Sequence, residues 1–224
     1  MDLKQTIEKR TSIRNFTDEK VPIKDLQELV RRAGLAPSVN NYQPWKFIVI
    51  TNKEVLSKMA IKVSEKIKEL PSNKSIASKN VKSQVEWFAT FFENAPAVIA
   101  MVMEDYESVL EKGVNLTHEE INKLRNFPDM QSAGAAIQNI LLSAVDLGYG
   151  ACWLSAPMMA KESLEKILSV ENPYHLIAFV AIGKPARELQ PKSHPRLPQR
   201  HRQQPAAVER QGLCGLRPDP LQPG

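Results

Sequence analysis

Arg10 and Arg14 stand four residues apart with Ser12 between them, in the run Arg10-Thr11-Ser12-Ile13-Arg14. Guanidinium forks match phosphate oxygens bidentately, so this trio can converge on one phosphate. Basic side chains at a helix C-terminus also complement its dipole, and that plainer role is open to the same pair. A second stretch, Ala36-Pro37-Ser38-Val39-Asn40-Asn41-Tyr42-Gln43-Pro44-Trp45-Lys46-Phe47, is polar and pinned by two prolines. Its Ser, Asn and Gln side chains offer donors and acceptors on a stiff frame, which suits reading the edge of a planar heterocycle; an Asx-capped turn is the alternative. In the third, Gly148-Tyr149-Gly150-Ala151-Cys152-Trp153-Leu154-Ser155, small residues let a flat ring approach backbone N–H groups. Read alone, it is an ordinary helix-to-strand turn.

Other chemistries are excluded by pattern. His118, His175, His194 and His201 have no zinc-like spacing, and there is no Cys-x-x-Cys, so no metal site is expected. Neither Gly-x-Gly-x-x-Gly nor a phosphate loop ending in Gly-Lys-Ser/Thr occurs, and the Gly-x-Ser-x-Gly elbow is missing. Cys152 and Cys214 are too few for a disulfide framework.

The elements that must position these residues follow from periodicity. Leu3 and Ile7 share a face of a first helix. Pro22 suits a helix's first turn, with Ile23, Leu26, Leu29 and Ala33 following at helical spacing until Pro37. Trp45 to Thr51 alternates as a strand, and Asn52 caps a helix bearing Leu56, Met59, Val63, Ile67 and Leu70. Pro71 to Asn80 reads as a polar loop, Val81 to Glu93 as an amphipathic helix and Ala97 to Met103 as a buried strand. Thr117 and Glu120 have capping-box spacing, and Asp129 to Leu147 is the longest helical candidate. Its small residues around Gly134 imply a central position, and Gly148 and Gly150 stop it. Ala151 to Ser155 and His175 to Gly183 read as strands, with a helix over Lys161 to Leu168 between them. Four strands among six or seven helices predict helices on both sides of one small sheet.

The chain has 224 residues, 42% of them hydrophobic, and a formal net charge of +5. That composition is globular; its apolar runs are too short to span a bilayer, and Met1 to Gln5 opens no secretory signal, so a cytoplasmic enzyme with no membrane partner is expected. Residues 187–224 carry seven Lys or Arg against three Asp or Glu, seven of the sixteen prolines and no aromatic residue. Most of the net charge therefore sits in a basic, proline-rich tail from about Pro195, which reads as disordered or non-native sequence. A basic tail can also hold RNA or an acidic partner, but the rest of the chain is nearly neutral and no nucleic acid is expected.

Taken together and in this order, the three stretches resemble the nitroreductase family of FMN-dependent oxidoreductases. The resemblance rests on Arg10-x-Ser12-x-Arg14-x-Phe16, then Ala36-Pro37-Ser38 with Asn41-x-Gln43-Pro44-Trp45-x-Phe47. Asp129 to Gln138, Leu147-Gly148-x-Gly150-x-x-Trp153 and Ala181-Ile182-Gly183-x-Pro185 complete it. It implies an α+β fold: a three-layer α/β/α sandwich with a central, mostly antiparallel sheet, assembled as an obligate-type homodimer. Residues 1–194 would form the FMN-binding domain and 195–224 the tail. Arg10, Ser12 and Arg14 would hold the FMN phosphate and ribityl end, with Lys192 completing that site. Pro37, Ser38 and Asn41 would line the isoalloxazine, partly from the second subunit. Gln131 or its neighbours would lie along the flavin, and Trp153, Leu154 and Ser155 would pass the ring through their backbone.

The implied activity is a ping-pong transfer of hydride from NAD(P)H through FMN to a nitroaromatic, quinone or similar small acceptor. No catalytic side chain is needed, because the cofactor carries the chemistry. Trp87, Phe88, Phe91, Phe92, Tyr106 and Phe127 are candidates to cover the flavin or stack on substrate, or else core residues. A non-catalytic flavin-binding sensor or storage module, or a flavin-dependent dehalogenase on the same scaffold, are the alternatives. One departure stands out: His194 occupies the position, two after Lys192, where the family places an arginine, which Arg196 could replace by reach.

Overall fold

Trp45, Phe47 and Val49 alternate with Ile48 and Ile50, so a strand made of them has two apolar faces, and both are covered. In the computed structural model, which describes residues 2–71, 76–106 and 109–187, this strand is β1 (Trp45–Ile50). It pairs antiparallel with β2 (Ala97–Glu104), whose Ala97 to Met103 run is buried throughout as expected of a central strand. Beyond β2 come β4 (Tyr174–Gly183) and then β3 (Gly150–Leu154) at the far edge, every pairing antiparallel.

One face of the sheet packs Trp45, Ile99, Met101 and Val180 against α2 (Ile23–Gly34) and α6 (Pro128–Asp146). The other packs Ile50, Val98, Ala100 and Phe179 against α3 (Lys53–Glu69) and α7 (Lys161–Leu168). The result is the expected three-layer α/β/α sandwich. The remaining α-helices are α1 (Leu3–Lys9), α4 (Ile76–Thr90) and α5 (His118–Leu124). All described residues belong to the first of the two units into which the chain divides, Met1–Pro191 and Lys192–Gly224.

Local signals hold where they are chemical. The Asn52 carboxamide accepts from the N–H groups of Glu54 and Val55, and Thr117 and Glu120 form a reciprocal capping box. Gly148 takes φ +83° just past the end of α6. Three placements differ. Ile23 is 64% exposed, because at helical spacing it lies about 90° from the line of Leu26, Leu29 and Ala33. Leu70 leaves the α3 stripe because the backbone turns extended there, at φ −60° and ψ 135°. Helix α4 begins at Ile76, inside the expected loop, since Ile76 to Asn80 contains no glycine or proline to stop it.

Candidate functional site

The arginine segment is held on the open edge of β3. Ser12 forms a parallel bridge with Ala151, and the Ile13 N–H donates to the Ala151 carbonyl at 3.0 Å. Ile13 then fills the space over Gly150, where any Cβ would stand 2.7 Å from Ile13 Cγ1. Further on, the Thr17 N–H donates to the Lys184 carbonyl and Phe16 bridges Pro185, tying the segment to the end of β4. Backbone groups alternate sides along a strand, so the outward Ala151 carbonyl puts the Trp153 N–H and C=O on the same open edge. Arg10 and Arg14 are half-buried, and among the described residues neither pairs with a carboxylate. The Arg14 guanidinium lies 5.3 Å from the Phe88 ring centroid instead. Burial pushes the Cys152 thiol up, while Arg14, the Ser12 hydroxyl and Arg10 all pull it back. Two cations without carboxylate partners, a hydroxyl and an open strand edge fit an anionic, planar ligand.

The proline-flanked loop is a strained turn held at both ends. Asn40, Asn41 and Gln43 take left-handed backbone, with φ of 49°, 54° and 53°. Each such residue costs on the order of 1 kcal/mol, and such strain persists where surroundings fix it. Inside the loop the Gln43 N–H donates to Ser38 Oγ at 2.9 Å, and its carboxamide donates to Asn41 Oδ1 at 3.0 Å. Outside it, the Val39 N–H donates to Ser132 Oγ at 3.3 Å, and the Asn40 carboxamide donates to the buried Tyr106 hydroxyl. Asn41 and Pro37 are exposed. Gln131, next to Ser132, is exposed and donates to the Asn126 carbonyl at 2.7 Å.

Helix α6 stands between these two groups. Ser132 meets the loop, whereas a Cβ on Gly134 would lie 3.8 Å from the Trp153 ring. Positions two apart on a helix, such as Ser132 and Gly134, are separated by about 200° around the axis, so the groups flank opposite faces of its N-terminal half. The structure thus brings Arg10, Ser12, Arg14, Trp153, Leu154 and Ser155 together, and separately gathers Pro37, Ser38, Asn41 and Gln131. Leu154 is 4% exposed and packs in the core, so only its backbone can face a ligand. Lys192 lies outside the described residues.

The family model described as "Nitroreductase family" matches residues 7–184, which covers both groups and the helix between them. The chain belongs to the nitroreductase family. Over 184 residues it is 29% identical to an Archaeoglobus fulgidus protein provisionally named an NADH dehydrogenase/NAD(P)H nitroreductase, covering 80% of this chain and 83% of that one. It is 26% identical to the iodotyrosine deiodinase of Hydra vulgaris over 81% of this chain, spanning 64% of that longer protein. Among solved structures it is similar to a BluB-like flavoprotein from Clostridium difficile 630, with a TM-score of 0.76, 30% identity and coverage of 93% and 97% of the two chains. A nitroreductase from Desulfitobacterium hafniense DCB-2, solved with bound FMN, shares the fold at 21% identity and a TM-score of 0.65, over 90% and 96% of the chains.

In this nitroreductase-family chain, the side chains that meet the two groups come from far away along the sequence. Phe88 meets Arg14 from α4, 74 positions away along the chain, and Ser132 meets the loop across 93 positions. Tyr106 is 5% exposed, which favours the core reading over covering a ligand. Trp87 and Phe88 are exposed on α4, whereas Phe91 and Phe92 are core. The α3 lysines form a solvated face: Lys62 pairs with Glu65 at 2.7 Å and Lys66 with Glu69 at 3.3 Å. Among the described residues no group of His, Cys, Asp and Glu is arranged to hold a metal ion, and no helix is long and apolar enough to cross a membrane.

Proposed function

We propose that this protein is an FMN-dependent oxidoreductase that uses NAD(P)H to reduce nitroaromatic, quinone or related small acceptors. The observation that carries the reading is the Ser12–Ala151 bridge, which docks two carboxylate-free arginines beside the open edge of Trp153. Bound there, FMN supplies hydride transfer between donor and acceptor, the chemistry that no side chain of this chain provides. Arg10, Ser12 and Arg14 hold the phosphate and ribityl end. The backbone of Trp153, Leu154 and Ser155 runs along the ring edge. Pro37, Ser38, Asn41 and Gln131 line the isoalloxazine.

In one protomer those last four sit across α6 from the arginines, which supports a site completed by a second copy of the chain. Leu3 and Ile7 on α1, with Leu124 at the end of α5 and Phe127 and Met130 at the start of α6, are exposed apolar side chains that such a homodimer would cover. On this reading residues 1–194 are the flavin-binding domain and 195–224 a tail outside it.

The test is spectroscopic. Purified protein reconstituted with FMN should bleach in the visible on anaerobic addition of NADH or NADPH and recover its colour with a nitroaromatic. A chain that takes up no FMN sinks the proposal, and a bound flavin that NAD(P)H does not bleach favours a non-catalytic binding module. Similarity to the iodotyrosine deiodinases supports a second reading, reductive dehalogenation on the same cradle. Recovery of colour with a halogenated tyrosine, accompanied by halide release, would favour it.

A further inference from the structure

The strained loop is fastened to the protein through one buried aromatic residue. The Asn40 carboxamide donates to the Tyr106 hydroxyl, and the Tyr42 ring meets the Tyr106 ring edge-on, with centroids 5.2 Å apart and planes at 63°. Tyr106 is 5% exposed and stands two residues past the end of β2, so the sheet holds one end of this contact. Its backbone N–H bears on the carboxylate of Asp129, in the first turn of α6. The same helix supplies Ser132 to the Val39 N–H. Tyr106 therefore links β2, the start of α6 and the two residues, Asn40 and Tyr42, that flank Asn41.

We infer that Tyr106 is a positioning residue: its hydroxyl holds Asn40 in left-handed backbone and so presents Ser38 and Asn41 to the flavin. The inference rests on the proposed flavin site, because it gives the loop's order a purpose there. Left-handed backbone is tolerated but not preferred outside glycine, so a turn in which Asn40, Asn41 and Gln43 all adopt it opens readily once one of its two outer anchors is removed. A ligand that needs the closed turn then binds more weakly by the fraction of time the turn spends closed.

The substitutions that test this are small. Tyr106→Phe keeps the buried ring and its contact with Tyr42 but removes the acceptor. Asn40→Gly keeps the left-handed backbone accessible but removes the donor. Hydrogen exchange in the FMN-free protein reads the loop directly, since the amides of Asn41, Tyr42 and Gln43 are all bonded within it. Tyr106→Phe should exchange these amides roughly tenfold faster while the thermal midpoint stays near that of the wild type. FMN titration followed by flavin fluorescence should give a dissociation constant raised roughly five- to tenfold in either variant. The double variant should be no worse than the single ones, because both remove the same bond.

Arg14→Ala serves as the contrast, weakening FMN binding with unchanged exchange at Asn41 to Gln43. Unchanged exchange in Tyr106→Phe overturns the inference, as does faster exchange with unaltered FMN affinity. A wild-type chain that takes up no FMN overturns the proposed function, and the flavin role of the contact with it. A wild type that binds FMN, beside a Tyr106→Phe chain that binds it equally well, overturns the inference alone.

Discussion

Ile13 sits against Gly150 with no room for a side chain between them: a Cβ on the glycine would stand 2.7 Å from Ile13 Cγ1 and 2.8 Å from its Cβ. The second distance matters more, because Ile13 Cβ is fixed to the backbone and cannot rotate away. Gly150→Ala must therefore push the Arg10–Arg14 segment off the strand edge. The expected loss is about 1–3 kcal/mol of stability, with weakened FMN binding. Ile13→Ala added to Gly150→Ala should recover part of both, since it removes the clashing branches. Urea unfolding and FMN titration of the three variants check this, and a double variant worse than Gly150→Ala alone would contradict it.

Arg14 has a ring beside it but, among the described residues, no carboxylate partner. Its removal should therefore leave stability within about 0.5 kcal/mol of the wild type, as for a surface substitution. FMN affinity should fall roughly ten- to a hundredfold, the scale of a charge-assisted hydrogen bond to phosphate. Arg14→Lys should restore only part, because an ammonium lacks the planar fork. The comparison with riboflavin, which has no phosphate, isolates the effect: its binding should be insensitive to Arg14→Ala.

How much of this site was legible follows from where its partners lie in the chain. The apolar periods placed all four strands, and caps such as Asn52 and Thr117 marked helix starts, because those interactions are local. The order of the strands was beyond such reading, since β4 enters between β2 and β3 through long-range pairing. The arginine trio and the two glycine- or proline-bounded turns were visible as chemistry. Their division between opposite faces of α6 was not, because it depends on Val39 meeting Ser132 while Gly134 meets Trp153. Tyr106 and Phe88 looked alike in sequence, as aromatics that could cover a ligand or pack the core. One is buried under the loop and the other is exposed beside an arginine, a difference set by tertiary packing.

Tyr149 donates to Asp25 Oδ2 at 2.6 Å, joining the strand entry to α2. Burial, and then the Asp25 carboxylate, push its phenol up to about 12 from an ordinary 10.0. The fold thus favours the protonated phenol. The stability this brings is complete below pH 10 and is lost as pH rises through about 12. Tyr149→Phe should cost about 1 kcal/mol at neutral pH, the worth of one hydrogen bond, and should flatten the loss in that alkaline window. Thermal midpoints between pH 8 and 11.5 provide the check, and equal alkaline slopes in the two proteins would remove Tyr149 as the cause.

Asp129 is 7% exposed, and among the described residues its Oδ1 has no hydrogen-bond partner. Burial raises its carboxyl above the ordinary 3.8; His118, the Tyr106 backbone N–H and Arg125 oppose that, and Asp105 adds to it. With the folded value above the unfolded one, the favourable contribution is complete at acid pH, below the unfolded value. It is lost as pH rises through the folded value, when a buried charge must form. Asp129→Asn has nearly the same shape and no charge to form. The stability of the variant relative to the wild type should therefore grow between about pH 3.5 and pH 7, whichever protein is the more stable at the acid end. Paired unfolding curves across that range measure the difference. A difference that stays constant would mean that Asp129 ionises in the fold as easily as in the unfolded chain, against its burial and its unpartnered oxygen.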